Sequence, residues 1–196
     1  MVRANSYPDD LRDRLVMEAL DRLRTGAPED VSLRDLAAAC GTSTNAIYSI
    51  FGGKDALVDA VAHLAREDFL GPQFELVTRE PSLEVLEESG TLYRTWAHHN
   101  PGLYRLIFGL SDAEGTFAPR AQMMAPIQQL LERMQAGGIL LPHDSEEMAL
   151  SLWASTHGFV MLEMCVWPAG MDTNALYRTH LANSVGRVIA HADAVH

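Results

Sequence analysis

The chain is short of cysteine, of lysine and of long uncharged apolar runs, and each shortage removes a class of explanation. Two cysteines in 196 residues, Cys40 and Cys165, are too few for a disulfide framework. Both sit inside apolar helical patterns, so two buried free thiols are expected. Apolar stretches such as Met148 to Val166 are interrupted by Ser151, His157 and Glu163, which excludes a bilayer-spanning helix there. The N-terminal Met-Val-Arg-Ala-Asn-Ser-Tyr-Pro has no apolar core of a secretory signal, and a cytosolic location is expected. Lys54 is the single lysine, a bias toward arginine from which no function follows. Positive charge is scarce altogether: the net charge of −11 excludes indiscriminate binding to nucleic acid, while leaving room for a local basic surface. No convincing strand, internal repeat or low-complexity linker is found.

What is present is a chain that is 47% hydrophobic, enough for one large or two small globular domains, with apolar residues at helical spacing. Asp9 to Arg24 reads as an amphipathic helix through Leu11, Leu15, Ala19, Leu20 and Leu23, ended by Gly26 and Pro28. Ser32 is placed to cap a short helix from Leu33 to Cys40 by accepting the Asp35 amide. Gly41 then stands where a left-handed turn residue is wanted, and Ser43 or Thr44 caps a third helix to about Ile50. A fourth helix, 54–69, follows Gly52-Gly53 and is closed by Gly71-Pro72. Further helices are expected at 82–99, 101–108, 117–135, 145–167 and 172–192, giving an all-α chain of about nine helices. Domains are drawn at 1–53 and 54–196, with helix 54–69 connecting them.

Two short helices around a Gly-led turn form a helix-turn-helix, with small Ala37 where backbones meet and Leu36, Ile47 and Ile50 filling the space between. In such a unit the third helix enters the major groove, its first residues near base edges and its flanks on phosphate. The exposed face here offers Ser43, Thr44, Asn45, Tyr48 and Ser49, groups suited to bases and phosphate oxygens rather than to catalysis. The segment from Val31 to Leu57, with Leu36-Ala37, Gly41, Ser43, Ile47-Tyr48, Phe51, and Lys54 followed by Leu57, resembles the signature of the TetR family of bacterial transcription regulators. The resemblance covers about a quarter of the chain. It implies an N-terminal three-helix DNA-binding domain in which Tyr48 and Lys54 contact phosphate and Thr44, Asn45 and Ser49 approach bases. Thr42 and Ile50 depart from the family's usual apolar and His or aromatic residues. Residues 1–60 hold seven basic against ten acidic side chains, so binding would rest on Arg34, Lys54 and helix ends and be strongly salt-sensitive.

Asn100-Pro-Gly-Leu-Tyr-Arg-Leu-Ile-Phe108 and Leu152-Trp-Ala-Ser-Thr-His-Gly158 resemble segments of one group of TetR-type ligand domains. That resemblance implies a helical ligand-binding and dimerisation domain, with a homodimer built on the last two helices, about 145–167 and 172–192. The former is apolar over too much of its circumference for one neighbour, which supports the same interface. Effector-pocket candidates are Trp96, Tyr104, Phe108, Met123, Met124, Trp153, His157 and Met161, bulky apolar groups with a few hydrogen-bonding ones. For each taken singly, core packing is the better explanation. The function implied is a ligand-responsive regulator, a repressor released from operator DNA by a small, largely apolar molecule, with no cofactor, metal or membrane partner.

Two other classes compete. A helical metal-dependent enzyme draws on Asp59, His63 and Glu67 at successive four-residue steps, a pattern that solvated helices also carry, and no nucleophile elbow, phosphate loop or zincin motif accompanies it. An adaptor that keeps the fold without binding DNA is favoured by the acidic balance and by Ile50.

Overall fold

Capping chemistry sets the first helices of the computed structural model, which describes residues 7–8, 10–108, 120–168 and 170–193. Helix α1, Leu11–Leu23, buries Leu11, Leu15, Val16, Ala19, Leu20 and Leu23 on one face. A single 3-10 turn, Pro28–Asp30, leads to α2, Leu33–Ala39, where the Ser32 hydroxyl accepts the Asp35 amide at 3.3 Å, the bond expected from the sequence. Beyond α2 the chain turns through Gly41 at φ +64°. The amides of Gly41 and Thr42 donate back to the carbonyls of Ala38 and Ala37, so the last open carbonyls of α2 are satisfied as the chain reverses. Helix α3, Thr44–Phe51, begins where the Ser43 hydroxyl accepts the Ala46 amide, and stops at Gly52, φ +85°.

Helix α4, Lys54–Val77, corrects the expectation that Gly71-Pro72 closes it near Phe69. Pro72 withholds one helical hydrogen bond and crowds the preceding turn, at a cost of about 3 kcal/mol. Continuing the helix past the proline buries Leu76 and Val77, each contributing roughly 1.5–3 kcal/mol. Packing therefore outweighs the local breaker. Gly71, lacking a Cβ, removes part of the clash that a residue before proline meets in a helix.

The remaining helices are α5 (Leu83–His99), α6 (Pro101–Ile107), α7 (Arg120–Ala136), α8 (Ser145–Cys165) and α9 (Asn174–Asp193), and the described residues contain no strand. The Asp9 and Phe117 ends of the expected helices lie outside the described residues. By compactness the chain falls into two units, 1–67 with 100–118 and 68–99 with 119–196. This division differs from the one drawn between residues 53 and 54, because the first part of α4 and all of α6 cluster with α1 to α3.

In the first unit Leu15, Leu36, Ile47, Leu57, Leu103 and Ile107 are fully buried. Helix α6 is seated on the end of α1 by the Gly102 amide, which donates to the Arg24 carbonyl at 2.9 Å, and by the Arg24 guanidinium, which donates to Asn100. The core of the second unit joins Leu76, Leu86, Met124, Leu131, Met134 and Met148. Cys40 is buried as expected, but Cys165 is exposed. It lies at the last turn of α8 beside exposed Leu162 and Val166, so its apolar sequence context does not translate into burial within one chain.

Candidate functional site

The geometry of α3 separates its buried and presented faces. Ala46 and Ile47 are fully buried, whereas Asn45, Tyr48 and Ser49 point to solvent, Tyr48 with 55% of its surface exposed. A large aromatic residue kept in water by the same helix that buries its neighbour is not explained by the core. Thr44 is half-buried beside this face, and Ser43, though exposed, commits its hydroxyl to the cap.

The cations near this face differ in their engagement. Arg34 on α2 is exposed and ion-pairs with no carboxylate among the described residues. Lys54 Nζ donates to the Glu29 carbonyl at 3.1 Å. Arg12, absent from the sequence-based candidates, lies over the Phe51 ring at 5.5 Å. Its signal was tertiary, since nothing in the local pattern of α1 points to α3. Arg14 and Arg22 are paired along α1 with Asp10 and Glu18, so they are less available to an outside anion.

The second unit encloses a mainly apolar cavity between α4, α5, α7, α8 and α9. Its closed, water-sized space is about 30 Å³, widening to about 500 Å³ when the mouth is counted. Of the expected pocket residues, Met123 and Trp153 line it. His157 reaches it through Tyr93, a lining residue whose phenol shares a 2.8 Å hydrogen bond with His157 Nδ1. Burial pushes the His157 imidazole below its ordinary 6.5, favouring the neutral ring.

Other candidates are not brought to this cavity. Tyr104 and Phe108 belong to the first unit, where Tyr104 is fully buried and packs on Phe108 at 4.6 Å. They do not line this cavity: Tyr104 is a core residue of the first unit, and half-buried Phe108 caps the end of α6. Met124 does not line the cavity and joins the core with Leu130 and Met134. Trp96 donates from Nε1 to Asp68 and packs edge-on against Phe69, while Met161 is half-buried elsewhere on α8. Sequence reasoning missed Gln73, Ser89 and Thr156, which supply polar atoms to the cavity. Gln73 was hidden because α4 was ended before it.

No group of three metal-ligating side chains occurs among the described residues, and His63 of the Asp59, His63, Glu67 series pairs only with Glu67 at 3.3 Å. No described helix is long and apolar enough to cross a membrane.

Comparison with known proteins agrees with both halves. Residues 18–61 match the family model of bacterial regulatory proteins, tetR family, and residues 86–183 match the tetracyclin repressor-like C-terminal domain. The chain is 27% identical over 170 residues to an uncharacterized HTH-type transcriptional regulator of Mycobacterium tuberculosis, Rv0681, covering 85% of this chain and 76% of that one. Its fold is similar to a protein of unknown function from Rhodococcus sp. RHA1, with a TM-score of 0.76 at 21% identity, over 96% of this chain and 100% of that one. It is also similar to a TetR-family transcriptional regulator from Streptomyces coelicolor, with a TM-score of 0.72 at 17% identity, over 97% and 85% of the two chains. With an N-terminal helix-turn-helix and a helical C-terminal domain each matched to its model, the chain belongs to the TetR family of DNA-binding transcription regulators, a family of regulators rather than enzymes.

Proposed function

We propose that this regulator acts as a homodimeric repressor that leaves its operator when a small, largely apolar molecule enters the cavity of the second unit. The observation that carries the DNA-reading half is the exposed Asn45, Tyr48 and Ser49 face of α3, set against fully buried Ala46 and Ile47. In this reading Tyr48, Lys54 and Arg34 meet phosphate, and Ser43, Thr44, Asn45 and Ser49 lie near base edges.

Dimerisation through α8 and α9 is supported by what these helices leave uncovered. Ala154, Gly158, Leu162 and Cys165 recur at three- and four-residue steps on the exposed side of α8, and Leu176 is 49% exposed on α9. Small and apolar residues at helical spacing form a seam into which a second helix packs closely. Helix α4 gives Leu57 and Val61 to the core of the first unit and Gln73 to the cavity of the second. It is therefore the element through which a ligand would bias the spacing of two reading helices. Such coupling is reciprocal: operator DNA weakens ligand binding by the factor that ligand weakens DNA binding.

Binding of the purified protein to its own promoter region at two salt concentrations tests the reading, with Tyr48→Ala and Lys54→Ala variants alongside. Salt-sensitive, competitor-resistant binding is expected, lost with Tyr48→Ala, and with a salt slope about one unit shallower in Lys54→Ala. Failure to prefer any promoter fragment over random DNA favours the second reading, a non-DNA-binding adaptor, to which the excess of acidic side chains in residues 1–60 points.

A further inference from the structure

We infer that the cavity of the second unit selects an uncharged, apolar molecule carrying an alcohol or phenol hydroxyl. The inference rests on the effector reading above and names the chemistry of its ligand. Three lining side chains, Gln73, Ser89 and Thr156, are 5%, 7% and 6% exposed, so each is more than nine-tenths buried. Gln73 Nε2 donates to the Ser89 carbonyl at 3.3 Å, and this is the amide's one hydrogen bond among the described residues. Its Oε1 is left as an acceptor. The Ser89 and Thr156 hydroxyls make no hydrogen bond among the described residues.

Polar side chains facing an otherwise apolar cavity set which hydrogen bonds its occupant can make. What satisfies these is restricted by type. An amide oxygen only accepts, so the ligand donates to Gln73; a serine hydroxyl donates or accepts. A single hydroxyl on the ligand answers both, donating to Gln73 Oε1 while accepting from neighbouring Ser89 Oγ.

Charge is excluded by the rest of the lining. No Asp, Glu, Lys, Arg or His is among the described lining residues, so a carboxylate or ammonium would be buried without a counter-charge. The 30 Å³ closed space holds about one or two waters, so a ligand must displace side chains. Leu181, whose Cδ1 lies against the Gly90 backbone, and Met123 are flexible lining groups able to give way. A single ring with a short alkyl arm suits such a space better than an extended body.

The test is titration of the full-length protein with 4-propylphenol, propylbenzene and 4-propylbenzoate, read by thermal shift and by tryptophan fluorescence, since Trp153 lines the cavity. The phenol is expected to bind about tenfold more tightly than the hydrocarbon, the worth of one net hydrogen bond, and the benzoate not to bind. Gln73→Leu should bring phenol and hydrocarbon within about twofold of each other. Ser89→Ala, a smaller change that keeps the fold if Gln73→Leu does not, should cut the preference in the same direction. Benzoate binding as tightly as the phenol, a preference that survives both substitutions, or no binding of any of the three up to their solubility limits would overturn the inference. The same phenol is then added to the operator complex: binding without DNA release leaves the hydroxyl preference standing and removes this cavity from the effector role.

Discussion

The guanidinium of Arg94 on α5 grips the carboxylate of Glu163 on α8 with two parallel hydrogen bonds, Nε to Oε2 at 2.9 Å and Nη2 to Oε1 at 2.8 Å. The Glu163 side chain is only 2% exposed, and Arg94 also stacks over the Tyr177 ring at 4.7 Å. His98 and the Thr173 hydroxyl complete the set of donors, so the pair ties α5, α8 and the start of α9 together. Arg94→Met strands a buried carboxylate and should cost about 3–5 kcal/mol in urea unfolding. The double variant Arg94→Met, Glu163→Met should recover most of it. A single-variant loss under about 1 kcal/mol would mean that water reaches the pair.

Acid should unfold the protein in two stages. Burial pushes the imidazoles of His157 and His180 below their ordinary 6.5, with Arg187 adding to the effect at His180 and a Ser155 hydrogen bond opposing it. The unfolded chain then binds protons that the folded one refuses, so stability is highest above 6.5 and declines as pH falls through the lowered folded values. At Glu163 burial pushes the carboxyl up, but hydrogen bonds from Arg94, Thr173 and His98 and the Arg94 charge outweigh it and hold it below its ordinary 4.5. That contribution is complete above 4.5 and is lost as pH falls through the lowered value. Melting curves from pH 7.5 to 3 should show the first decline blunted in His157→Gln and the second in Glu163→Gln. Parallel pH profiles for wild type and both variants would refute the assignment.

Gly102 should tolerate no side chain. A Cβ there would overlap the carbonyl oxygens of Leu23 and Gly26, backbone atoms that cannot swing aside. Gly102→Ala is expected to cost about 3 kcal/mol, the upper end for overpacking, seen as a lower melting temperature. A melting temperature within a degree of wild type would show that α6 does not need its close seat on α1.

The uncovered seam of α8 and α9 yields a prediction about assembly. Leu162 and Leu176 are 42% and 49% exposed in the single chain, and a charge at either position costs little there. Leu162→Glu with Leu176→Glu should turn the proposed dimer into a folded monomer in sedimentation velocity, with unchanged helical circular dichroism. A variant that still sediments as a dimer would move the interface to another face.

Much of the first unit was legible in the residues because its signals are local. Ser32 capping Asp35, Gly41 in the left-handed turn and Ser43 at the head of α3 are each decided within four or five residues, and each stands in the structure as the pattern predicts. The candidate cavity was legible only in part. Met123 and Trp153 line it, but Tyr104 and Phe108 fall in the first unit, and Gln73 lay beyond a helix end misplaced by Gly71-Pro72.

By itself the order of residues determined the helical class, the helix-turn-helix with its presented Tyr48 face, and the family signature, because periodicity, caps and turn glycines act over one or two helical turns. Only the tertiary structure decided that α4 runs on through Pro72, that Cys165 faces outward, that Lys54 meets the Glu29 carbonyl, and that Gln73, Ser89 and Thr156 converge on one apolar cavity. The physical reason is the same in each case. Burial and hydrogen-bond partners are supplied by elements distant in the chain, and their several kcal/mol of packing override any single local preference.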